Sequence, residues 1–181
     1  MSTEFKEFSK IARYSRPITV TEKLDGTNGL VHVSEDGIVT AGSRSRWITP
    51  EQDNHGFAKW VKDYEIELRE LGKGYHYGEW WGTGINRGYG LSEKRWSLFN
   101  TSKWSVVRPA CCNVVPVLYE GQMSEKAIFD CLEQLNLNGS VAAKGFKPAE
   151  GVVVYHTHGN LYFKKTILND EKIENFLAAT S

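Results

Sequence analysis

Apolar and polar residues alternate along much of the chain, which is the pattern of β-strands with one buried face. Between Ile18 and Ala41 the alternation is interrupted by two Asp-Gly pairs, at 25–26 and 36–37. Asp-Gly between alternating runs is typical of tight hairpin turns. We therefore predict two hairpins of an antiparallel sheet in this part of the chain.

Later segments also have strand patterns. Residues 74–82 (GYHYGEWWG) lie between glycines and precede a glycine-rich loop and an aromatic strand around RWSLFN, residues 95–100. Residues 150–167 predict a hairpin that turns near Gly159 and Asn160.

Other segments have the apolar spacing of helices. The predicted helices cover residues 3–15, 49–71 and 124–137, and the last dozen residues predict one short closing helix. Pro17 ends the first helix, Pro50 lies near the start of the second, and Gly72 ends it. Ser124 is a suitable N-cap for the third helix, with Gly139 as its end.

These elements together predict the fold class. The chain has 181 residues, enough for one sizeable domain with a core, and no repeat, low-complexity tract or linker is evident. We predict a single domain over residues 1–181, of the α+β class, with antiparallel β-sheets flanked by helices.

Composition and charge indicate in which compartment the protein works and how it could contact nucleic acid. The N-terminus has no apolar signal-like stretch, and the apolar runs are too short to span a bilayer, so a cytoplasmic protein is expected. Cys111, Cys112 and Cys131 lack metal-type spacing and are expected to be reduced. The 22 basic residues offset the 22 acidic ones, so any contact with nucleic acid must come from local clusters.

One short segment carries candidate chemistry. The stretch TEKLDGTNGL, residues 21–30, places Lys23 just before an Asp-Gly pair. By itself this stretch fits a surface hairpin as well as a lysine presented for reaction. A lysine acts as a nucleophile only when its amine is uncharged.

Several short motifs follow that lysine in a fixed order. They are EKLDGTN at 22–28, SRSR at 43–46, YGEWW at 77–81, SLFN at 97–100, EGVVV at 150–154 and FKK at 163–165. The series resembles the covalent nucleotidyltransferase superfamily of polynucleotide ligases and mRNA capping enzymes. Asn28, five residues after Lys23, resembles the RNA ligase branch, especially bacteriophage enzymes that seal nicked duplex RNA, whereas DNA ligases and capping enzymes usually have arginine there.

The resemblance implies an ATP-dependent RNA ligase of the nucleotidyltransferase fold. Lys23 would attack the α-phosphate of ATP, release pyrophosphate and hold AMP as a lysyl-AMP. AMP would then pass to a 5′-phosphate end of RNA, and a 3′-hydroxyl end would displace it. The implied cofactors are ATP and Mg²⁺ or Mn²⁺.

The resemblance also implies a set of nucleotide contacts. Glu22 would accept a hydrogen bond from the adenine amino group, Arg44 would contact the ribose or phosphates, Glu79 would bind the ribose hydroxyls, and Phe99 would stack on adenine, with Asn28 nearby. The residues alone leave other roles open, since Glu22 also fits a solvated strand position and Phe99 also fits a core. Arg44 and Arg46, if they lie in a strand, would share one face.

The last two motifs imply a metal ligand and phosphate contacts. Glu150 would help to hold the divalent cation, and Lys164 and Lys165 would contact the α-phosphate. In the family that the chain resembles, one residue usually separates these two lysines. Adjacent strand residues face opposite ways, so we expect only one to reach AMP and favour Lys164.

The short C-terminal stretch affects how RNA would be held. Only residues 166–181 follow Lys165, so we expect no C-terminal OB or other accessory domain. RNA contacts are therefore expected from Arg46, Arg87, Lys94 and Arg95, or from another protein that supplies substrate binding.

Two alternatives stay open at this stage. A DNA ligase or a GTP-dependent capping-type enzyme would share the lysine chemistry, and Asn28 and Glu22 argue against both. A non-catalytic nucleotide- or RNA-binding module would bind ATP without forming a covalent adduct.

Overall fold

The computed structural model describes residues 4–168 and consists of two β-sheets with helices packed against them. The described strands are β1 (Pro17–Lys23), β2 (Thr27–Val33), β3 (Val39–Gly42), β4 (Trp47–Ile48), β5 (Gly74–Gly82), β6 (Lys94–Leu98), β7 (Asn113–Val114), β8 (Val117–Gln122), β9 (Gly151–His156) and β10 (Leu161–Thr166). The described helices are α1 (Phe57–Asp63), α2 (Glu65–Leu68), α3 (Thr101–Trp104) and α4 (Glu125–Asn138), with a 3-10 turn at Arg69–Leu71. The predicted closing helix of the last dozen residues lies outside the described part.

The first sheet has four strands in the order β10-β9-β1-β8, and the second has six in the order β4-β3-β2-β5-β6-β7. All neighbouring pairs are antiparallel except β6 and β7, which are parallel. The prediction of antiparallel sheets combined with helices is therefore confirmed.

Several elements agree with the sequence patterns. The hairpin at 36–37 joins β2 to β3, and the turn at 157–160 joins β9 to β10. Strand β5 has the predicted bounds. Helix α4 is capped by Ser124, whose Oγ accepts a hydrogen bond from the N–H of Ala127 at 3.2 Å. The three cysteines are free thiols.

The prediction of a hairpin at Asp25-Gly26 is wrong. Strand β1 pairs with β8 and β9, whereas β2 pairs with β3 and β5, so residues 24–26 carry the chain from the first sheet to the second. Alternation shows which side chains share a face, but it does not show which strand is the neighbour. At Gly26 the backbone passes so close to Trp80 that a Cβ would clash with its carbonyl oxygen.

The predicted N-terminal helix is also wrong over its described part. Residues 4–13 form neither helix nor strand, and Phe5, Phe8 and Ile11 are 85–89% exposed. A short isolated helix is only marginally stable in water unless its apolar face packs against another element. Here the apolar stripe has no such contact.

The second predicted helix begins later than expected. Residues 49–56 form a turn, and α1 starts at Phe57. The start signal is Asp53, whose carboxylate accepts hydrogen bonds from the N–H groups of Ala58 at 2.7 Å and Lys59 at 3.0 Å. Gly72 ends the helical region as predicted.

Buried side chains form three clusters around the sheets. Helix α1 covers one face of the second sheet through Phe57 and Val61, and α4 covers one face of the first sheet through Leu132 and Leu135. The third cluster surrounds the crossing between the sheets and contains Leu24, Trp81, Tyr89, Val115 and Ala143. No helix within residues 4–168 is long and apolar enough to cross a membrane.

The close approach at Gly26 gives a testable expectation. Gly26→Ala should lower the free energy of unfolding by about 1–3 kcal/mol, because the added Cβ must displace the backbone of Trp80. Gly159→Ala is the matched control, since the nearest atom to its Cβ would be a side-chain nitrogen at 3.1 Å. Urea denaturation measures both variants. Equal stability of Gly26→Ala and the parent would show that the crossing tolerates a side chain.

Candidate active site

Lys23 is the last residue of β1 and stands where the chain leaves the first sheet. Its Nζ donates to Oε1 of Glu150 at 2.6 Å, and the two side chains are 23% and 17% exposed. Strand pairing sets this contact, because Lys23 lies opposite Gly151 on β9 and Glu150 directly precedes that residue. The structure thus brings together two predicted site residues that are 127 positions apart in the chain.

Glu79 approaches the same place from β5 of the second sheet. Its Oε1 accepts a hydrogen bond from the N–H of Gly26 at 3.1 Å, and Oε2 accepts one from Nδ2 of Asn28 at 3.4 Å. Burial raises the pKa of Glu79 to about 7, although the Gly26 N–H and the charge of Lys23 favour the ionised form. Glu150 and Asp25 also lie close enough to raise this pKa. A lysine and several carboxylates therefore cluster where the two sheets meet.

Glu22 lies on the opposite face of β1 from Lys23 and is 1% exposed. Its Oε2 accepts hydrogen bonds from the N–H groups of Val141 and Ala142, both at 2.9 Å. Burial raises the pKa of Glu22, and the neighbouring Ser140 side chain and these two N–H groups oppose the rise. The prediction of a nucleotide contact from Glu22 thus concerns a buried carboxylate, not a solvated one.

Two buried carboxylate oxygens lack a hydrogen-bond partner among the described residues. They are Oε1 of Glu22 and Oε2 of Glu150. A buried acceptor without a partner costs about 1–3 kcal/mol, so such atoms are rare unless a ligand completes them. Oε1 of Glu22 fits a donor, and Oε2 of Glu150 fits a donor or a cation.

No group of three or more His, Cys, Asp or Glu side chains within residues 4–168 is arranged to hold a metal ion. A cation at Glu150 would therefore take its other ligands from water or from a bound phosphate. Mg²⁺ binds in this manner, through one or two carboxylates together with substrate phosphates.

Arg44 and Arg46 lie in the turn between β3 and β4, and the strand position considered for them is wrong. Gly42 pairs with Trp47, and the N–H of Ser43 donates to the carbonyl of Arg46 at 2.8 Å, which closes the turn. Both arginine side chains are exposed.

Lys164 and Lys165 lie on opposite faces of β10. Lys164 is aligned with Val153 of β9, which is aligned with Thr21 of β1, so Lys164 is on the same face as Lys23. Lys165 is on the other face, where its Nζ lies 5.2 Å from the ring centroid of Phe129 in α4.

Phe99 follows β6 directly and is 38% exposed, so it is not a core residue. Its N–H donates to the carbonyl of Tyr77 at 2.9 Å. The register of β5 and β6 puts Phe99 on the same face of the second sheet as Glu79.

Arg87 ties the crossing between the sheets to the segment that precedes Glu150. Its Nε donates to Oδ2 of Asp25 at 2.6 Å, and its Nη1 donates to the carbonyl of Pro148 at 2.8 Å. Asn86 donates to Oδ1 of Asp25 at 2.8 Å and to the carbonyl of Gly26 at 2.9 Å. Asn86 and Arg87 of the glycine-rich loop thus fix the segment that follows Lys23 and the segment that precedes Glu150.

Sequence reasoning missed the parts played by Asp25, Asn86 and Tyr89. The hydroxyl of Tyr89 accepts a hydrogen bond from the N–H of Asp25 at 2.7 Å. Asn86 and Tyr89 have φ angles of 45° and 56°, a conformation that the glycine-rich composition of the loop permits but does not assign to them.

The other cations predicted to bind RNA have partners within the protein. Lys94 donates to the carbonyl of His55 at 2.6 Å, and Arg95 pairs with Glu93 at 2.6 Å. The role of these residues and of Arg87 towards RNA stays a prediction.

A comparison with protein families decides the relationship of this chain. A family model described as RNA ligase matches residues 16–168, which include all the described strands and helices. The chain belongs to the RNA ligase family. This match confirms the family that the motif series resembles. A search of curated proteins finds no match.

Solved structures of Naegleria gruberi RNA ligase share the fold of this RNA ligase family member. A lysine-to-alanine variant with ATP and Mn is 20% identical, with a TM-score of 0.62 over 84% of this chain and 50% of that chain. An arginine-to-alanine variant with ATP and Mn is 21% identical, with a TM-score of 0.64 over 84% and 50%. An apo aspartate-to-alanine variant is 19% identical, with a TM-score of 0.63 over 91% and 52%. The chain spans about half the length of these structures.

The partly buried Glu79 should make the stability of this RNA ligase family member depend on pH. Because the folded-state pKa of Glu79 is raised to about 7, its contribution to stability is fully present below its ordinary value and is lost as the pH rises through about 7. Glutamine does not titrate. The melting temperature of Glu79→Gln relative to the parent should therefore increase between about pH 5 and about pH 8. A difference that stays constant, or falls, over this range would contradict the burial of an ionisable group here.

Proposed function

We propose that residues 4–168 form the nucleotidyltransferase domain of an ATP-dependent RNA ligase that joins 5′-phosphate and 3′-hydroxyl ends. The observation that carries the proposal is the contact of Lys23 with Glu150 beside Glu79, at the junction of two sheets, in a chain of the RNA ligase family. Naegleria gruberi RNA ligase has been solved with ATP and Mn and with PPi, which supports the same ligands here.

In the first step, Nζ of Lys23 attacks the α-phosphorus of ATP. A phosphorus–nitrogen bond forms, the bond from phosphorus to the pyrophosphate oxygen breaks, and pyrophosphate leaves. The amine must lose its proton, and Oε1 of Glu150, 2.6 Å from Nζ, is placed to accept it. The covalent lysyl-AMP divides one difficult condensation into easier steps.

In the later steps, a 5′-phosphate end of RNA attacks the phosphorus of lysyl-AMP and releases the amine of Lys23. The 3′-hydroxyl of the other end then attacks the adenylated 5′-phosphate, forming the new phosphodiester and releasing AMP. The first of these transfers takes place at the junction of the sheets, because the phosphorus of AMP is attached to Lys23 there. In the second transfer AMP is attached to the RNA 5′ end, and in this proposal it stays in the same nucleotide site until it leaves.

The proposed nucleotide contacts use the residues that the motif series predicted. Oε1 of Glu22 accepts a hydrogen bond from the adenine 6-amino group, where guanine would present a carbonyl, so ATP is preferred to GTP. Glu79 accepts hydrogen bonds from the ribose hydroxyls, with Asn28 holding its carboxylate. Phe99 stacks on the base, and Arg44 contacts the ribose or phosphates.

Glu150 would hold a divalent cation, Mg²⁺ or Mn²⁺, through its free oxygen. When bound, the cation neutralises charge on the phosphates as pyrophosphate leaves. The residues of this chain prepare that site by holding the partly buried Glu150 beside Lys23 and by fixing the preceding segment through Arg87.

Covalent labelling tests the proposed nucleophile. The parent protein, incubated with Mg²⁺ and ATP labelled at the α-phosphate and then denatured, should retain label. Lys23→Ala and Lys23→Arg should retain none, because neither side chain can form the phosphoramidate. Lys59→Ala is the matched control, since Lys59 pairs with Asp63 on the solvent-exposed side of helix α1, away from the active site.

Two outcomes of this labelling would contradict the proposal. One is label that persists on folded Lys23→Ala. The other is a parent protein that binds ATP, is free of AMP as purified and still acquires no label, which would indicate a non-catalytic module. Label from GTP in preference to ATP would contradict the assignment of Glu22.

The two lysines of β10 should differ in importance. Lys164→Ala should slow formation of lysyl-AMP by about a hundredfold, because Lys164 is on the face of Lys23 and contacts the α-phosphate in this proposal. Lys165→Ala should change the rate by less than about threefold, since Lys165 lies on the face covered by α4. Single-turnover rates at saturating ATP measure both variants. A slower Lys165→Ala than Lys164→Ala would reverse the assignment.

A further inference from the structure

One face of the second sheet exposes a group of aromatic side chains. This aromatic face consists of His32, Trp47, Tyr75 and Tyr77, and it lies on the side of the sheet opposite the α1 core. Trp47, Tyr75 and Tyr77 are 51%, 57% and 56% exposed. Contiguous exposed apolar surface usually marks a place where something binds.

Strand register brings these side chains together. His32 of β2 is aligned with Tyr75 of β5, and their ring centroids are 4.4 Å apart. The rings of Trp47 and Tyr75 are 6.5 Å apart with an interplanar angle of 30°, which is a stacked arrangement. Tyr77 follows two positions along β5 on the same face. The rings of His32, Trp47 and Tyr75 therefore form a continuous platform, and Tyr77 extends the same face toward Glu79.

The aromatic face adjoins the candidate active site. Glu79 follows Tyr77 by two positions in β5 and therefore points to the same face. Phe99, next to Tyr77 across the sheet, lies on the same side of the sheet and marks the edge of the proposed nucleotide site. A strand bound on the platform would thus lead directly to the place where the proposed lysyl-AMP is attached.

The charges around the platform favour a polyanion. Arg44 and Arg46 lie in the turn that directly precedes Trp47, and neither forms an ion pair with a carboxylate among residues 4–168. Between Glu79 and the far ends of β2 and β5, the residues that share this face include no acidic side chain. Arg87, Lys94 and Arg95, in contrast, are held by partners within the protein.

We propose that the aromatic face binds a single-stranded segment of the RNA substrate. Unpaired bases stack on Tyr77, Tyr75 and Trp47, and the RNA phosphates contact Arg46, while Arg44 keeps the nucleotide contact proposed above. Bases within a duplex are already stacked on one another, whereas aromatic side chains bind bases that are unpaired. The inference rests on the proposed function, since it takes RNA as the substrate of the active site.

Binding of labelled RNA tests the inference. Fluorescence anisotropy should show that Tyr75→Ala and Trp47→Ala each weaken binding of a short single-stranded RNA by about 5- to 150-fold, the range expected for loss of one base stacked on an aromatic ring. Tyr75→Phe keeps the ring and should bind as the parent does. Tyr64→Ala is the matched control, because Tyr64 is 39% exposed and its ring packs on Trp60 of α1. A blunt RNA duplex should bind equally to all five proteins.

Three results would overturn the inference. The first is single-stranded binding by Tyr75→Ala and Trp47→Ala that matches the parent. The second is an equal loss of duplex binding in these variants, which would mean that the platform does not select unpaired bases. The third is a parent that sediments as a dimer while both variants sediment as monomers, which would make a second copy of this chain the occupant.

Lysyl-AMP formation separates this inference from the proposed function. Tyr75→Ala should form lysyl-AMP at the rate of the parent, so its defect should be confined to RNA binding. A different outcome is that the parent forms no lysyl-AMP while Tyr75→Ala and Trp47→Ala still bind single-stranded RNA more weakly than the parent. In that case the proposed function fails and the RNA-binding face is supported.

Discussion

The crossing of the chain from one sheet to the other within residues 24–26 is the constraint on which the rest of the structure depends. It ends β1 at Lys23, starts β2 beside Glu79, and so places groups from both sheets at one point. Hydrogen bonds and an ion pair fix the crossing. Glu79 and Tyr89 accept hydrogen bonds from its N–H groups, while Asn86 and Arg87 bind the side chain of Asp25.

The cost of this arrangement is a set of carboxylates that are buried or partly buried, namely Glu22, Glu79 and Glu150. Burial raises the pKa of Glu22 and of Glu79, and one oxygen each of Glu22 and Glu150 lacks a partner among the described residues. Each orphaned acceptor costs about 1–3 kcal/mol, which is a substantial share of the stability of a small protein. A nucleotide with its cation would satisfy both atoms, so binding should stabilise the fold as well as start the chemistry.

Sequence patterns predicted the elements whose signals are local. Strand β5 and helix α4 have a glycine boundary or a capping serine within a few residues, and both were placed correctly. The hairpin predicted at the Asp-Gly pair 25–26 is wrong, because alternation shows which side chains share a face of a strand but not which strand lies next to it. The motif series pointed to Lys23, Glu79 and Glu150, which the structure brings close together, and their roles stay predictions. The contacts of Arg87 depend on the packing of a loop, which no local pattern encodes.

The most direct measurement is a crystal structure of the protein after incubation with ATP and Mg²⁺. We predict continuous electron density from Nζ of Lys23 to the phosphorus of AMP, with the adenine amino group beside Oε1 of Glu22. An unmodified Lys23 still paired with Glu150, with the nucleotide bound elsewhere on the molecule, would contradict the proposed chemistry.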